Sequence, residues 1–379
     1  MKLLIHDLNK EDWEKRAEEY EGWTIISDNG SILPCVGCFG CWNRTPGSCV
    51  MKDGYGNMGY LIHHADEVHV ISRYTYGGFS GFVKNVFDRS LAYVLPHFEI
   101  VNGESHHRKR YDEEKPYTFV FYGPRLSEEE KESARRYVKA VATNMRTLVK
   151  DVIFEENEEV PATKEAKKPQ ETGNVILLNC SMRKGNSLAL AEQLAKRLKE
   201  KPLLLNLSEY LKDHDHLLET IKDARALVFC TPLYVDGLPS QLIRLLEYLE
   251  KQEWENAKKI YAIANMGLYE NSQLVNLFEA LRQWCRNTGF TYCGSLGVAA
   301  GELVGGLMQV LPFEKGFTAK IAQEEDRLAE AIDEGNAIED IYSGPGHFPR
   351  WLYIAIANSG WARMARANGI SEKELYRQL

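Results

Sequence analysis

Two twelve-residue segments of this chain, residues 72–83 and 231–242, align with each other without a gap. Each segment follows a short apolar run and opens an amphipathic stretch, and this alternation recurs along the chain. Such an alternation is typical of βαβ units, which build a parallel β-sheet covered by helices. Because ligands bind at the carboxyl ends of the strands in an open sheet of this kind, we expect both segments at a ligand-binding edge.

The alternation predicts an α/β fold with two doubly wound parallel sheets in tandem. Between them, residues 156–173 are charged, contain two prolines and lack an apolar period, which is typical of a linker. We therefore predict a first domain over residues 1–155 and a second over residues 174–379, which suits a chain of 379 residues. The predicted strands are residues 2–8, 23–27, 67–72, 117–122, 152–155, 175–180, 203–207, 226–230, 260–265 and 292–299. The predicted helices are residues 81–94, 127–148, 187–200, 238–250 and 272–288.

Composition and charge argue against several classes of partner. The net charge of -8 and the lack of a basic stripe argue against a nucleic-acid partner. Charged residues at Asp7 and Lys10 interrupt the first apolar run too early for a signal peptide, so a cytoplasmic location is expected. The apolar run in FPRWLYIAIANSG is far shorter than the roughly 20 residues that span a bilayer, which predicts a docked helical tail and no membrane partner.

The turn after the first strand of the second half has the composition of a phosphate site. The stretch VILLNCSMRKGNSLALAEQL reads as strand, turn and helix. A helix start offers unpaired N–H groups and a positive dipole end, which hydroxyls and an arginine would complement. In an alternative interpretation, Asn186 or Ser187 only caps the helix and Gly185 makes the bend. The turn residues are Ser181, Arg183, Gly185, Asn186 and Ser187.

This turn, placed beside the loop at 231–237, resembles the NADPH-dependent FMN reductase and iron-sulfur flavoprotein group of flavodoxin-like proteins. The resemblance implies a flavodoxin-like fold, with FMN as cofactor and NAD(P)H as co-substrate. It implies that the turn holds the FMN phosphate, although Cys180 and Met182 replace a common glycine and proline. The loop it places along the isoalloxazine ring is Thr231, Pro232, Leu233, Tyr234, Val235, Asp236 and Gly237. A third loop, which could equally be an ordinary turn, brings Asn265, Met266, Gly267 and Tyr269 near the flavin.

The first half keeps only part of this pattern. It retains the ring-side loop at 72–83, but Asp7, Glu11 and Asp12 place negative charge where the phosphate turn should stand. We therefore expect this half to bind no FMN of its own. Because subunits of the resembled group often pair with the flavin of one facing the other, the repeat suggests a pseudo-dimer within one chain. Further homo-oligomerisation is left open.

Four cysteines of the first half lie within fifteen positions: Cys35, Cys38, Cys41 and Cys49. The Cys-x2-Cys-x2-Cys core, with a fourth cysteine after seven more residues, suits the ligands of a [4Fe-4S] cluster. Free or structural thiols, a zinc site and a redox disulfide are alternatives. The remaining cysteines, Cys180, Cys230, Cys285 and Cys293, are expected in the core, and His63, His64, His106 and His107 in exposed positions without a ligand role.

Together these features predict an FMN-dependent NAD(P)H oxidoreductase that passes electrons to a small-molecule acceptor such as a quinone or flavin. A [4Fe-4S] cluster is one route for the electrons. Because a flavin carries out such chemistry itself, no acid or base is assigned a catalytic role. The alternative is a flavodoxin-like electron-transfer protein with a protein redox partner.

Overall fold

The computed structural model describes residues 1–159 and 164–379. The chain divides into two compact units, one formed by Met1–Pro161 with Ile354–Leu379 and the other by Ala162–Tyr353. The predicted linker falls partly on residues 160–163, which lie outside the described residues. From Lys164 onward the chain packs against the rest of the second unit, since the Lys164 ammonium donates to the carbonyl of Glu250 over 2.9 Å.

The first unit is built around a five-stranded parallel sheet. Its elements, in chain order, are β1 (Lys2–His6), α1 (Lys10–Glu14), β2 (Thr24–Ser27), α2 (Gly40–Asn43), α3 (Met58–His64), β3 (Glu67–Arg73), α4 (Gly81–Asp88), β4 (Val94–Val101), β5 (Glu104–Lys109), β6 (Pro116–Gly123), α5 (Glu128–Met145) and β7 (Leu148–Glu156). The strand order is β2-β1-β3-β6-β7. Without the β4-β5 hairpin, this is the 2-1-3-4-5 order of flavodoxin-like sheets.

The hairpin of β4 and β5 was not predicted, although its signal is present. Asn102 and Gly103 connect the two strands with φ of 52° and 90°. Two central residues with positive φ are what a tight hairpin turn requires, and Asn-Gly is the usual pair. The prediction that His106 is exposed was wrong, because it lies buried on β5 with its Nδ1 2.6 Å from Asn144 Oδ1.

The second unit is built around a six-stranded parallel sheet. Its elements, in chain order, are β8 (Val175–Asn179), α6 (Asn186–Arg197), β9 (Leu203–Asn206), α7 (His214–Ile221), β10 (Ala226–Pro232), α8 (Ser240–Glu250), β11 (Lys259–Asn265), α9 (Val275–Thr288), β12 (Thr291–Val298), α10 (Gly301–Met308), α11 (Ala319–Glu334) and β13 (Ile341–Ser343), followed by α12 (Arg350–Ala367). The order β13-β12-β11-β10-β8-β9 repeats that of the first sheet with one strand added. The predicted fold class, two flavodoxin-like doubly wound parallel sheets in tandem, is therefore confirmed.

The central strands of the second sheet are buried along their length, because helices cover both faces. Cys180, Cys230, Cys285 and Cys293 lie in this core, as predicted. Strands of this kind read as continuous apolar runs, which is why the sequence located them.

The C-terminal segment Ile354–Leu379 was predicted within the second domain, but the structure groups it with the first unit. The buried Arg110 guanidinium donates to the carbonyl of Leu375 over 2.8 Å. The indole of Trp361 packs edge-on against that of Trp42, with 5.2 Å between ring centroids.

None of the helices in the described part of the chain combines the length and apolar character that crossing a bilayer requires.

Candidate functional site

The start of α6 is the centre of the candidate site. The helix begins at Asn186, with Gly185 in the N-cap position. Gly185 has no side chain to cap the helix, and no other side chain in the described residues does so. Asn186 and Ser187 are therefore the first two helical residues and not the cap that the alternative reading proposed. The N–H groups of the first turn are left for an anion, which this end of the helix dipole attracts.

Side-chain hydrogen bonds order the turn that precedes α6. The Ser181 N–H donates to Asn179 Oδ1 over 3.2 Å, and the Arg183 N–H donates to the Ser181 hydroxyl over 3.5 Å. In α6, the Ser187 hydroxyl accepts a hydrogen bond of 2.7 Å from the side-chain amide of Asn265. Ser181, Ser187 and Asn265 are all buried. The predicted phosphate turn is therefore joined to the predicted third flavin loop.

Helix α10 covers this turn and was not predicted. The Arg183 guanidinium lies 3.7 Å from the carboxylate of Glu302 in α10. A Cβ atom on Gly305 would overlap the side chain of Asn186, and one on Gly301 would lie 3.0 Å from Asn265 Oδ1. Glycine inside a helix is unfavourable, so the VGG sequence in α10 was a signal of close packing.

The loop after β10 contains a tight, strained turn. Tyr234 and Gly237 exchange two backbone hydrogen bonds of 3.1 and 3.0 Å. The residues between them, Val235 and Asp236, have φ of 36° and 60°. A positive φ is a genuine outlier for a β-branched residue such as Val235, and strain of this kind is concentrated at functional sites.

The first unit contains the same turn. Thr75 and Gly78 exchange two backbone hydrogen bonds of 3.0 Å each. Tyr76 and Gly77 between them have φ of 48° and 83°. The gapless alignment of residues 72–83 with 231–242 is thus confirmed at the level of backbone conformation.

The third predicted loop lies after β11, beside the other two. The N–H of Leu233 donates to the carbonyl of Asn265 over 2.8 Å. The hydroxyl of Tyr353 bonds the carbonyl of Gly267, and that of Tyr269 donates to the carbonyl of Phe348 over 2.5 Å. Because β8, β10 and β11 are neighbours in the sheet, their carboxyl ends bring the three loops to one edge. The predicted cofactor residues at this edge are Ser181, Arg183, Gly185, Asn186, Ser187, Thr231, Pro232, Leu233, Tyr234, Val235, Asp236, Gly237, Asn265, Met266, Gly267 and Tyr269.

In the first unit, Asp7 follows β1 at the position that corresponds to Cys180, the residue between β8 and the predicted phosphate turn of the second unit. The N–H of Asp7 bonds the carbonyl of Ile71 over 3.3 Å, as that of Cys180 bonds the carbonyl of Cys230 over 2.8 Å. The Asp7 carboxylate accepts the N–H of Arg73 with both oxygens, at 3.0 and 3.2 Å. A carboxyl group thus takes up a backbone donor at the end of β1. Burial raises the pKa of this carboxyl, and hydrogen bonds from Ser80, Arg73 and Tyr122 oppose that shift.

The helix that follows β1 is also unsuited to a phosphate. Helix α1 has only five residues, and the side chain of Asn9 caps it by accepting the N–H of Asp12 over 2.9 Å. Its first turn carries Glu11 and Asp12. The two units therefore differ at the site where the second could hold a phosphate.

The four clustered cysteines line one cavity of about 20 Å³ in the first unit. The Arg89 guanidinium donates to Cys49 Sγ over 3.1 Å, and the Gly40 N–H donates to Cys38 Sγ over 3.4 Å. Burial raises the pKa of Cys35 to about 12 and that of Cys41 well above its ordinary value.

The arrangement of the four thiols gives no support to a [4Fe-4S] cluster. Within residues 1–159 and 164–379, no group of three or more His, Cys, Asp or Glu side chains is placed so that it could hold a metal ion. A cavity of about 20 Å³ holds roughly one water molecule, which is far less than a four-iron cube needs. All four cysteines are free thiols in this structure.

A buried ion pair supports the cysteine cavity. The Arg89 guanidinium donates to both carboxylate oxygens of Asp53, at 2.6 and 2.9 Å, and to the carbonyl of Leu33 at 2.8 Å. Both charged side chains are almost fully buried. Arg89 therefore links the thiol of Cys49 to Leu33, which precedes the cysteine loop, and to Asp53, which follows it.

Comparison with known proteins gives a match for the second unit. Residues 174–303 match the family model of NADPH-dependent FMN reductase. The matched range includes all three loops of the candidate site and the first turn of α10. None of the curated proteins compared with the chain matches it.

Three solved structures resemble parts of the chain. The Trp repressor binding protein from Bacillus subtilis is 19% identical, with 32% of this chain and 81% of that chain covered and a TM-score of 0.27. An azoreductase from Bacillus anthracis is 13% identical, with coverage of 43% and 100% and a TM-score of 0.32. The Flv1 flavodiiron core from Synechocystis is 10% identical, with coverage of 85% and 79% and a TM-score of 0.28.

Proposed function

We propose that this chain is an FMN-dependent NAD(P)H oxidoreductase whose second unit binds one FMN. The observation that carries the proposal is the uncapped start of α6, which lies within the range matched by the FMN reductase family model. Ser181, Arg183 and Ser187 add two hydroxyls and a positive charge to the free N–H groups there. Together they form a donor set suited to a phosphate.

In this proposal each loop of the edge has its own role. The first turn of α6 with Ser181 and Arg183 holds the phosphate. The strained turn at 234–237 and the loop at 265–269 hold the ring, and the Asn265–Ser187 hydrogen bond fixes the distance between ring and phosphate sites. If bound there, FMN would supply the redox chemistry, which is acceptance of hydride from the nicotinamide and transfer of electrons to the acceptor.

The acceptor proposed is a small molecule such as a quinone or free flavin. A flavodoxin-like electron-transfer role with a protein partner is the alternative outcome of the test. Pairing of the two halves, further homo-oligomerisation and a cytoplasmic location stay predictions.

The first unit is proposed to bind no flavin, because Asp7 and the capped, acidic α1 would repel a phosphate. The cluster expected from the cysteine spacing also stays a prediction, and anaerobic purification tests it. Iron and sulfide near four per chain, both lost in Cys38→Ser, would support it. Iron-free anaerobic protein with full flavin content would assign Cys35, Cys38, Cys41 and Cys49 a structural role.

The function is tested by loading the purified protein with FMN, removing free FMN, and following oxidation of NADH and NADPH with a quinone or free FMN as acceptor. We expect tight FMN binding and oxidation of at least one nicotinamide. Protein that retains FMN but oxidises neither nicotinamide would favour the electron-transfer alternative. Protein that retains no FMN would contradict the proposal.

A further inference from the structure

A second cavity lies in the same unit, at the carboxyl end of β13. Its volume is about 440 Å³, which is within the range of ligand pockets. It is lined by residues from the loop after β11, the end of β13 and the starts of α11 and α12. The side chains that bear on its chemistry are Tyr269, Glu270, Ser272, Lys320, Ser343 and Arg350.

The charge at this cavity favours an anion. Arg350 is the first residue of α12 and pairs with Glu270 at 3.0 Å. Lys320 lies in the first turn of α11, is exposed, and forms no ion pair or hydrogen bond with any described residue. One positive charge is therefore left over, beside the start of α12, whose dipole also attracts negative charge.

Ser343 supplies a second and independent indication of a ligand. Ser343 as a residue is 1% exposed and is among the residues that line the cavity. Its hydroxyl has no hydrogen-bond partner in the part of the chain that the structure describes. A buried polar group without a partner costs about 1–3 kcal/mol, and a ligand oxygen in the cavity would remove that cost.

The cavity shares a wall with the candidate flavin site. Tyr269 belongs to the loop predicted to contact the flavin and also lines the cavity. Its hydroxyl is held by the carbonyl of Phe348, so the loop is fixed between the two sites. A ligand that lies across this loop would reach both.

We propose that this cavity binds a phosphate group of the nicotinamide dinucleotide that donates hydride, an assignment that rests on the proposed function. The dinucleotide carries phosphates in addition to the one that the α6 turn would hold on FMN. Lys320 pairs with the phosphate, Ser343 hydrogen-bonds one of its oxygens, and Tyr269 separates this subsite from the ring. Inorganic phosphate has the same chemistry and is distinguished by the test.

The test is calorimetric titration of the FMN-loaded protein with NADP⁺, NAD⁺ and inorganic phosphate, using Lys320→Glu and Ser343→Ala. Glutamate suits the first turn of a helix, so Lys320→Glu should fold. We expect it to weaken NADP⁺ binding at least about tenfold, and Ser343→Ala to weaken it about threefold. Lys315→Glu, which reverses another exposed lysine close by in sequence, should leave it unchanged.

FMN retention is measured on the same samples and should not change in any of these variants, because the α6 turn is untouched. Unaltered NADP⁺ and NAD⁺ affinity in Lys320→Glu, with FMN retained, would overturn the subsite while leaving the proposed function standing. The same holds if Lys320→Glu weakens only inorganic phosphate. Loss of FMN from the wild-type protein would instead indicate failure of the proposed function.

Discussion

The side-chain amide of Asn265 donates a hydrogen bond to the hydroxyl of Ser187 over 2.7 Å, and both side chains are buried. This contact joins the carboxyl end of β11 to the first turn of α6 across the neighbouring strand β10. It fixes the position of the residues predicted to hold a phosphate relative to those predicted to hold a ring. A fixed frame of this kind lowers the entropy lost when a ligand binds.

Removing this hydroxyl should weaken FMN binding. In Ser187→Ala, the buried amide of Asn265 loses its acceptor, which costs about 1–3 kcal/mol. We expect a lower thermal unfolding temperature and a dissociation constant for FMN raised roughly tenfold, measured by fluorescence quenching. Thr220→Ala, which removes an exposed hydroxyl bonded within its own helix, is the control. Equal FMN affinity in both variants would show that the contact plays no part in binding.

Charge reversal at Arg183 should reduce FMN retention more strongly than reversal elsewhere. Arg183→Glu places a carboxylate beside the phosphate turn, and we expect FMN affinity to fall at least about tenfold. Arg286→Glu is a matched control, because its side chain is 46% exposed against 44% for Arg183 and each lies near one glutamate. Retention of FMN is measured after gel filtration. Similar losses in the two variants would contradict a specific role for Arg183.

Adjacent glycines of α10 should respond differently to alanine. A Cβ at position 305 would overlap the side chain of Asn186. Apart from its chain neighbours and the backbone of its own helix, a Cβ at 306 would have no heavy atom of the described residues within 4 Å. Gly305→Ala should therefore displace Asn186 and weaken FMN binding. Gly306→Ala should leave binding unchanged and stabilise the helix by roughly 0.5–1 kcal/mol. FMN titration and thermal unfolding of both variants test the packing of α10 on the turn.

Acid should weaken the buried Arg89–Asp53 ion pair beside the cysteine cavity. Burial alone would raise the pKa of Asp53, but hydrogen bonds from Arg89 and from the N–H groups of Leu33 and Tyr55 lower it to about 2. A carboxyl with a lowered folded pKa stabilises the protein above its unfolded pKa, and that stabilisation is lost as pH falls through the folded value.

We therefore expect Asp53 to contribute about 2 kcal/mol to the free energy of unfolding above about pH 4, lost toward about pH 2. Urea unfolding across this range, followed by tryptophan fluorescence, measures it. In Asp53→Asn this part of the pH dependence should disappear. An identical pH profile in the variant would mean that the pair does not stabilise the fold.

Local pattern was sufficient to predict the sheets, because strands buried on both faces are continuous apolar runs. The turn at 181–187 and the loop at 231–237 were also predictable, since each depends on residues adjacent in sequence. The short strand β13 has three residues and no such run, and its pairing with β12 follows only from the assembled sheet. Strand β4 and its partner were missed despite an Asn-Gly signal that was in the sequence.

Contacts between residues far apart in the chain could not be predicted from local sequence patterns. The packing of Gly305 against Asn186 depends on how α10 crosses the turn, and no periodicity encodes that distance. Similarly, the bonding of Arg110 to Leu375 joins residues 265 positions apart, so the C-terminal segment could not be assigned to the first unit. The cavity at β13 depends on Ser343, whose lack of a partner among the described residues becomes visible only in the folded chain.

We propose that the uncapped α6 of the second unit binds FMN and that the acidic β1 edge of the first unit does not. The most direct test is the number of FMN molecules per chain after saturation with FMN and removal of unbound cofactor, determined from flavin absorbance and amino-acid analysis. We expect one FMN per chain, and we expect it to be lost in Arg183→Glu. Two FMN molecules per chain, or none, would contradict it.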